Sequence, residues 1–170
     1  MEKDTVKGNR KWAGLIVCLL AYMTAGLMVW LVFDAVSIFH PILVVLVLDV
    51  LATLTIFLFS LFFNNSSLYD PYWSLVPPVI ILYWLMDQRS PVEFTLLHWI
   101  IIFLVLAWSV RLTLNWLARW RGIRDEDWRY ISFRFKYNEY YWLMSLFGIH
   151  LFPTLIVFLG CLAVYPALVL

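Results

Sequence analysis

The stretch RLTLNWLARWRGIRDEDWRY, at residues 111–130, concentrates the side chains best suited to chemistry. It carries five arginines, an acidic triplet and three tryptophans directly after an apolar run. Guanidinium groups form paired hydrogen bonds to phosphate, and tryptophan rings stack on flat rings. Together they suit a phosphorylated, ring-bearing cofactor such as NADPH. The alternative is attraction to anionic lipid headgroups, although the acidic triplet offsets half the charge of the six basic residues in 119–139.

Three polar residues of this stretch fall on one helix face. Arg111, Asn115 and Arg119 are spaced four apart, so they lie within an arc of about 80°. By helical rise, Arg111 lies about 12 Å deeper than Arg119. Because an arginine in the membrane costs about 2.5–3.5 kcal/mol on an insertion scale, Arg111 is a functional-site candidate. The alternatives are that it snorkels to the headgroups or pairs with a structural carboxylate.

Acidic side chains earlier in the chain are the candidate partners. Asp49 lies near the middle of an apolar segment and shares a helix face with Thr53 and Ser60. It could bind substrate or donate a proton, or it could tie its helix to Arg111. In NNSSLYDPYW, Asp70 is predicted to cap the following helix. The alternative is that Tyr69 and Asp70 face a ligand.

The composition indicates an integral membrane protein. Of the 170 residues, 64% are hydrophobic and 14% are charged, and the mean hydropathy is +0.87. These values exclude an ordinary soluble domain. A net charge of +1 gives no support for a nucleic-acid partner. Cys18 and Cys161 lie in apolar runs and are expected to be buried structural thiols.

Five apolar segments predict an all-α polytopic bundle that forms a single membrane domain over residues 1–170. Lipid offers no partner for backbone groups, so each segment must be a helix. The third is short and contains Pro77 and Pro78, which predicts a kinked helix shielded by protein. The segments are 12–33, 41–63, 71–86, 92–118 and 140–162.

Two of these helices carry initiation signals. Asp70 and Pro71 can cap and begin the third. Ser90, Pro91 and Glu93 form the pattern of a capping box for the fourth.

The distribution of lysine and arginine predicts the orientation. With five crossings, ten basic residues lie in the amino-terminal tail and the 119–139 loop, against Arg89 alone on the other side. The amino terminus and this loop are therefore expected in the cytosol. The sequons at Asn64 and Asn65 would also be cytosolic, so no glycosylation is expected.

Three motifs, in order, resemble a known family. SSLYDPYWSLVPP, RLTLNW and EDWRY are similar to the amino-terminal half of the steroid 5-alpha-reductase-like integral membrane proteins, over residues 45 to 160. The resemblance implies reduction of a carbon–carbon double bond in a lipid or sterol-like substrate, with NADPH in a cytosol-facing pocket. It also implies that Asp49, Tyr69 and Asp70 lie near the substrate. The residues implied on the cofactor side are Arg111, Asn115, Arg119, Glu126, Asp127, Arg129 and Tyr130.

One departure limits what the resemblance implies. The family's carboxyl-terminal half carries further helices and a motif resembling H-P-N-Y-x-G-E, and nothing like it occurs in this sequence. A truncated or split member, which needs a separate carboxyl-terminal half, is the expectation. The alternatives are a membrane methyltransferase of the isoprenylcysteine type, which uses S-adenosylmethionine, and a non-enzymatic membrane module.

Overall fold

The protein is a helical membrane bundle. The computed structural model describes residues 2–87 and 93–169, with residues 2–10 described by their backbone. These ranges contain helices and turns and no strand, which confirms the predicted all-α class. The helices are α1 Glu2–Val36, α2 Pro41–Phe62, α3 Tyr72–Met86, α4 Leu96–Arg119, α5 Trp128–Tyr137, α6 Tyr141–Met144 and α7 Phe152–Val169, with a π-helical segment Ser145–Leu151 between α6 and α7.

Four helical stretches within the described ranges are long and apolar enough to cross a bilayer. They are Lys11–Val36, Pro41–Phe62, Leu96–Arg119 and Trp128–Val169. The fifth helix of the bundle is α3, whose 15 residues span about 22 Å, against a hydrocarbon core near 30 Å. It packs on α4 and α7, with Pro77 buried. A short, proline-containing helix is tolerated in the membrane where protein surrounds it in this way.

The starts of α3 and α4 correct two predictions. Asp70 does not cap α3: the cap position is Pro71, and no side-chain hydrogen bond is made there. The helix α4 begins at Leu96 rather than near residue 92. The Thr95 backbone N–H donates to His98 Nδ1 at 3.0 Å, so histidine takes the role predicted for Glu93. Ser90 and Pro91 lie outside the described residues.

The 119–139 region also differs from the predicted loop. Residues 128–137 form α5, which begins where the Asp127 side chain accepts a hydrogen bond from the Arg129 N–H at 2.9 Å. It ends at Asn138, which has a positive φ of 44°. The sequence did not predict this helix, because its basic and aromatic residues alternate. They do not form the pattern of a helix that buries its apolar side, and the apolar side of α5 faces outward.

Hydrogen bonds between polar side chains connect the helices in the middle of the bundle. The Tyr72 hydroxyl donates to Asp49 Oδ1 at 2.6 Å, which joins α3 to α2. The Thr154 hydroxyl donates to the His150 carbonyl at 2.9 Å. With its single hydrogen committed, it must accept the hydrogen bonds from Tyr69 at 2.6 Å and Thr53 at 2.7 Å. This arrangement matches the requirement that polar groups in lipid find partners within the protein.

The histidines join neighbouring elements through hydrogen bonds, and the cysteines are buried as the sequence predicted. His150 Nδ1 donates to the Ser145 carbonyl at 2.9 Å, and its Nε2 accepts from Ser60 at 3.2 Å. His98 Nε2 donates to the Leu168 carbonyl at 3.3 Å. Both cysteines are buried and free.

The amino-terminal part of α1 packs against the turn after α4. Lys11 Nζ donates to the Leu117 carbonyl at 3.3 Å. A Cβ added to Gly14 would lie 2.6 Å from the Ile123 nitrogen and 3.1 Å from Gly122 backbone atoms. The amino-terminal part of α1 and the 120–127 loop therefore lie at the same end of the bundle, as the predicted topology requires.

Gly14→Ala should destabilise the protein, because the methyl group would collide with backbone rather than with a movable side chain. Overpacking of this kind costs about 1–3 kcal/mol. Thermal unfolding of the detergent-solubilised protein measures the loss. Gly26→Ala in the same helix is the control, since a Cβ there meets nothing within 4 Å. Equal melting temperatures for the two variants would contradict the close approach.

Candidate functional site

A cavity of about 490 Å³ lies at the end of the bundle where α3 begins and α4 ends. Its size is within the range of small-molecule sites. Its walls come from the turn before α3, from the last turns of α4, from the 120–130 region and from the start of α7. Eight of the ten candidate residues from the sequence line it: Tyr69, Asp70, Asn115, Arg119, Glu126, Asp127, Arg129 and Tyr130.

Hydrogen bonds between the Asn65–Ser67 turn and the 123–127 loop build one wall of the cavity. The buried Asn65 amide donates to the Ile123 carbonyl at 2.7 Å and to the Asp125 carbonyl at 3.2 Å. Its oxygen accepts from the Ser67 N–H at 2.8 Å, a turn for which an Asn is suited. The Asp127 N–H then donates to the Ser67 hydroxyl at 2.9 Å. The amide nitrogen of Asn65 thus holds the 123–127 loop, and its amide oxygen holds the turn.

A second clamp holds the same loop through Glu126. Arg134 binds both carboxylate oxygens, with Nε–Oε2 at 2.6 Å and Nη2–Oε1 at 3.0 Å. The Ser66 N–H donates to Oε1 at 2.7 Å, and the Tyr141 hydroxyl donates to it at 3.2 Å. The guanidinium also donates to Asn64 Oδ1 at 2.9 Å and lies 4.0 Å from the Tyr141 ring centroid. Glu126 therefore lines the cavity with a carboxylate whose charge is already compensated.

Sequence reasoning missed Arg134. Its partners at Asn64 and Glu126 are 70 and 8 residues away, so no helical i, i+4 spacing marks the interaction. The turn at Asn65–Ser67 did carry a local signal, because Asn followed two residues later by Ser is typical of such turns.

Asp70 faces the cavity instead of capping α3. The Tyr130 hydroxyl donates to its Oδ1 at 2.5 Å. Burial raises the pKa of the Asp70 carboxyl to about 6, and the hydrogen bond from Tyr130 only partly opposes that rise. The Asp70 carboxyl therefore gains and loses its proton at a pH only about one unit below neutral.

The contribution of Asp70 to the stability of the protein should fall as pH rises from about 4 to 6. Because the pKa of Asp70 is higher in the folded chain than its ordinary value of 3.8, the folded state binds more protons in this window. Asp70→Asn should remove that slope, whereas Tyr130→Phe should move it to higher pH by deleting a bond that favours the charged form. Melting temperatures across pH 4–8 test this, and an unchanged slope in Asp70→Asn would contradict it.

The two arginines of the cavity differ in how they are held. Arg129 binds Asp127 with Nε–Oδ1 at 2.8 Å and Nη2–Oδ2 at 3.1 Å, and this bonding lowers the pKa of the Asp127 carboxyl. Arg119 is exposed, and its Nε donates to the Asn115 carbonyl at 3.4 Å. It forms no ion pair with the rest of the described chain, so its charge is available to a ligand.

The tryptophans Trp73, Trp116 and Trp120 are among the residues that line the cavity. Trp116 and Trp120 lie 5.0 Å apart between ring centroids, with 32° between their planes. Trp73, on the α3 side, meets Trp108 edge-on at 6.1 Å. Trp120 Nε1 is buried without a hydrogen-bond partner in the described part of the chain.

Two candidate residues lie outside the cavity lining. Asp49 is buried on α2, where Tyr72 binds one oxygen and Oδ2 finds no partner within the described ranges. Arg111 is exposed on α4. The hypothesis that they pair is wrong, since Asp49 is bonded to Tyr72 and no ion pair joins it to Arg111 among the described residues.

Tyr69 is among the lining residues, and its hydroxyl is bonded inside the bundle. That hydroxyl donates to Thr154 at 2.6 Å, and the ring centroid lies 4.8 Å from that of His150. The π-helical segment that carries His150 also places Ile149 on the cavity wall. π-helical turns are rare and occur often at functional sites.

Comparison with known proteins yields one family match. The family described as "Protein of unknown function (DUF1295)" matches residues 56–169. No curated protein and no solved structure matches the chain. The matched range includes the Asn65–Ser67 turn, the 120–127 loop and every residue that lines the cavity. Because it covers 114 of the 170 residues, the chain belongs to the DUF1295 family.

Proposed function

We propose that this protein is a membrane-embedded, NADPH-dependent reductase of a carbon–carbon double bond in a lipid or sterol-like substrate, or a half of such an enzyme. The observation that carries the proposal is the cavity itself. It unites Arg119, whose guanidinium is available for a phosphate, with the Trp116 and Trp120 rings, which suit a flat base. The resemblance of the three sequence motifs to steroid 5-alpha-reductase-like proteins supports the same reading.

Apolar residues of the cavity lining suit an apolar substrate. They are Leu112 of α4 and Phe152, Ile156 and Val157 of α7. Both helices belong to stretches that are long and apolar enough to cross a bilayer. A hydrophobic molecule could therefore enter from the lipid with its apolar part against these residues.

Asp70 is the best placed proton donor. NADPH, when bound, supplies a hydride, and a protein group must deliver the proton to the other carbon of the double bond. A carboxyl with a pKa of about 6 can hold a proton near neutral pH, and Asp70 lies on the cavity wall. Tyr69 and Asp49 would act less directly, since the Tyr69 hydroxyl is committed to Thr154 and Asp49 lies deeper in the bundle.

The charge of the cavity also favours a second candidate. Its lining includes Asp70, Asp125, Glu126 and Asp127, which together suit ribose hydroxyls and a sulfonium cation. S-adenosylmethionine carries both, so a methyltransferase of the isoprenylcysteine type is the alternative. Bonds to Arg129 and Arg134 compensate two of these carboxylates, which favours the anionic NADPH instead.

Competition between the two cofactors tests the proposal. The purified protein in lipid nanodiscs is titrated with NADPH, and S-adenosylmethionine is then added as a competitor. We expect saturable NADPH binding that S-adenosylmethionine displaces poorly. Tighter binding of S-adenosylmethionine would favour the methyltransferase, and binding of neither would indicate a non-enzymatic membrane module.

A separate carboxyl-terminal half would complete this site. Only His98 and Ser109 of the 24 residues of α4 are buried, and Arg111 and Asn115 are exposed at membrane depth. Polar groups of this kind normally face protein or water. The titration is therefore run on the chain alone and on the chain joined to such a half, and tighter NADPH binding by the joined form is expected.

We infer further that the cavity end of the bundle lies in the cytosol, because most lysines and arginines are at this end. Arg124→Cys should react with a membrane-impermeant thiol reagent from the cytosolic side, and Ile38→Cys from the opposite side. Arg124 is exposed in the cavity-end loop, and Ile38 is 80% exposed between α1 and α2. The buried native cysteines give a low background. Reaction of both variants from one side would overturn the topology.

A further inference from the structure

The helix α5 directs Tyr130 and Arg134 toward the protein and carries an exposed apolar face. At 100° per residue, Trp128, Ile131 and Phe135 lie within an arc of about 60°. Trp128 is 73% exposed and Phe135 is 84% exposed. Tyr130 and Arg134 lie outside this arc and bond to Asp70 and Glu126.

An exposed apolar face of this kind is not typical of a helix on a water-facing surface. Such a helix buries its apolar face and exposes its polar one. In α5 an outward aromatic face must be covered by something other than water. The helix follows α4 and precedes α7, and both belong to stretches that are long and apolar enough to cross a bilayer.

The outward face is also continuous with surface that lipid covers. Phe147 and Phe152, on the π-helical segment and α7, are 56% and 60% exposed. Both belong to the stretch that begins with α5 itself and is long and apolar enough to cross a membrane. Lipid is thus the neighbour of the adjoining surface, and it is the simplest cover for α5.

Exposed basic side chains occur on α5 and in the loop before it. Lys136, Arg121 and Arg124 are exposed and belong to neither ion pair of the region. Asp125 and Glu139 are the exposed acidic residues nearby. The excess of positive charge beside an aromatic face is typical of helices that bind anionic membrane surfaces.

We propose that α5 is an interfacial helix that docks on anionic lipid headgroups, with Trp128, Ile131 and Phe135 inserted among the upper acyl chains. Tyr130 and Arg129, on the same helix, line the cavity. Contact with the membrane therefore fixes one wall of the cavity. The inference rests on the membrane fold and does not depend on the reductase activity.

The test reconstitutes the full chain into vesicles with an environment-sensitive thiol probe at Phe135→Cys. The matched control carries the probe at Lys136→Cys, on the charged edge of the same helix. We expect bromine-labelled acyl chains to quench the probe at position 135 and aqueous iodide to quench the probe at 136. A probe at Trp128→Cys should behave like the probe at 135.

A second arm measures lipid charge. Brominated phosphatidylglycerol should quench the probe at 135 more strongly than brominated phosphatidylcholine. Arg121→Gln and Arg124→Gln should each reduce that preference, by roughly fivefold for a residue at the surface. Equal quenching by both lipids would overturn the proposal. Quenching of the probes at positions 128 and 135 by iodide would also overturn it. Shielding of both positions from bromine and from iodide would overturn it as well, because it would indicate that protein covers this face.

Discussion

Arg134→Met should lower the melting temperature of the protein by roughly 6–12 °C. The Glu126 side chain is 10% exposed and the Arg134 side chain is 25% exposed, and removing one partner of a buried ion pair costs about 3–5 kcal/mol. The lower part of that range applies, because Arg134 keeps some contact with solvent. At roughly 2–4 °C per kcal/mol for a chain of this size, a loss of about 3 kcal/mol gives the expected shift. Thermal unfolding in detergent measures it.

The exposed ion pair in the same region is the matched control. Arg129 is 58% exposed and Asp127 is 27% exposed, so Arg129→Met should cost less than about 1 kcal/mol. The double variant Arg134→Met with Glu126→Leu should recover part of the loss, because it leaves no uncompensated carboxylate. Equal shifts for Arg129→Met and Arg134→Met would show that the Glu126 clamp does not hold the loop.

The helices of the bundle were largely predictable because lipid demands long apolar segments. The bounds of α2, Pro41–Phe62, follow from such a run, and α3 begins close to Pro71. The start of α4 was not predictable in the same way. There, His98 accepts the hydrogen bond that a capping box usually assigns to glutamate. The apolar pattern predicted the helix, and the local cap decided where it begins.

The site was predictable in its residue types and much less in its partners. Asp70 was predicted to cap a helix or to face a ligand, and its bond to Tyr130 joins residues 60 apart in the chain. Asp49 was a candidate partner of Arg111 and instead meets Tyr72. Pairings of this kind depend on how helices are rotated against one another, and the spacing of residues within one helix does not determine that rotation.

Arg119→Ala should weaken NADPH binding about ten- to a hundredfold, since a hydrogen bond to a charged group is worth about 1.5–3 kcal/mol. Among the described residues, Arg119 is the arginine of the cavity that forms no ion pair. Arg119→Lys should fail almost as badly, because an ammonium group cannot form the paired bonds of a guanidinium. Titration of NADPH against nanodisc-reconstituted variants measures the loss.

Arg111→Ala is the control for Arg119→Ala, and the sequence alone did not identify it as a control. Arg111 and Arg119 are on the same helix and carry the same charge, but only Arg119 lines the cavity. If the cavity binds the cofactor by itself, Arg111→Ala leaves the affinity of the chain unchanged. If a carboxyl-terminal half covers the exposed face of α4, Arg111→Ala becomes damaging only in the joined protein. If net charge alone attracts the phosphate, Arg111→Ala and Arg119→Ala should lose affinity equally, and Arg119→Lys should bind NADPH normally. That result would exclude a phosphate site formed by the Arg119 guanidinium.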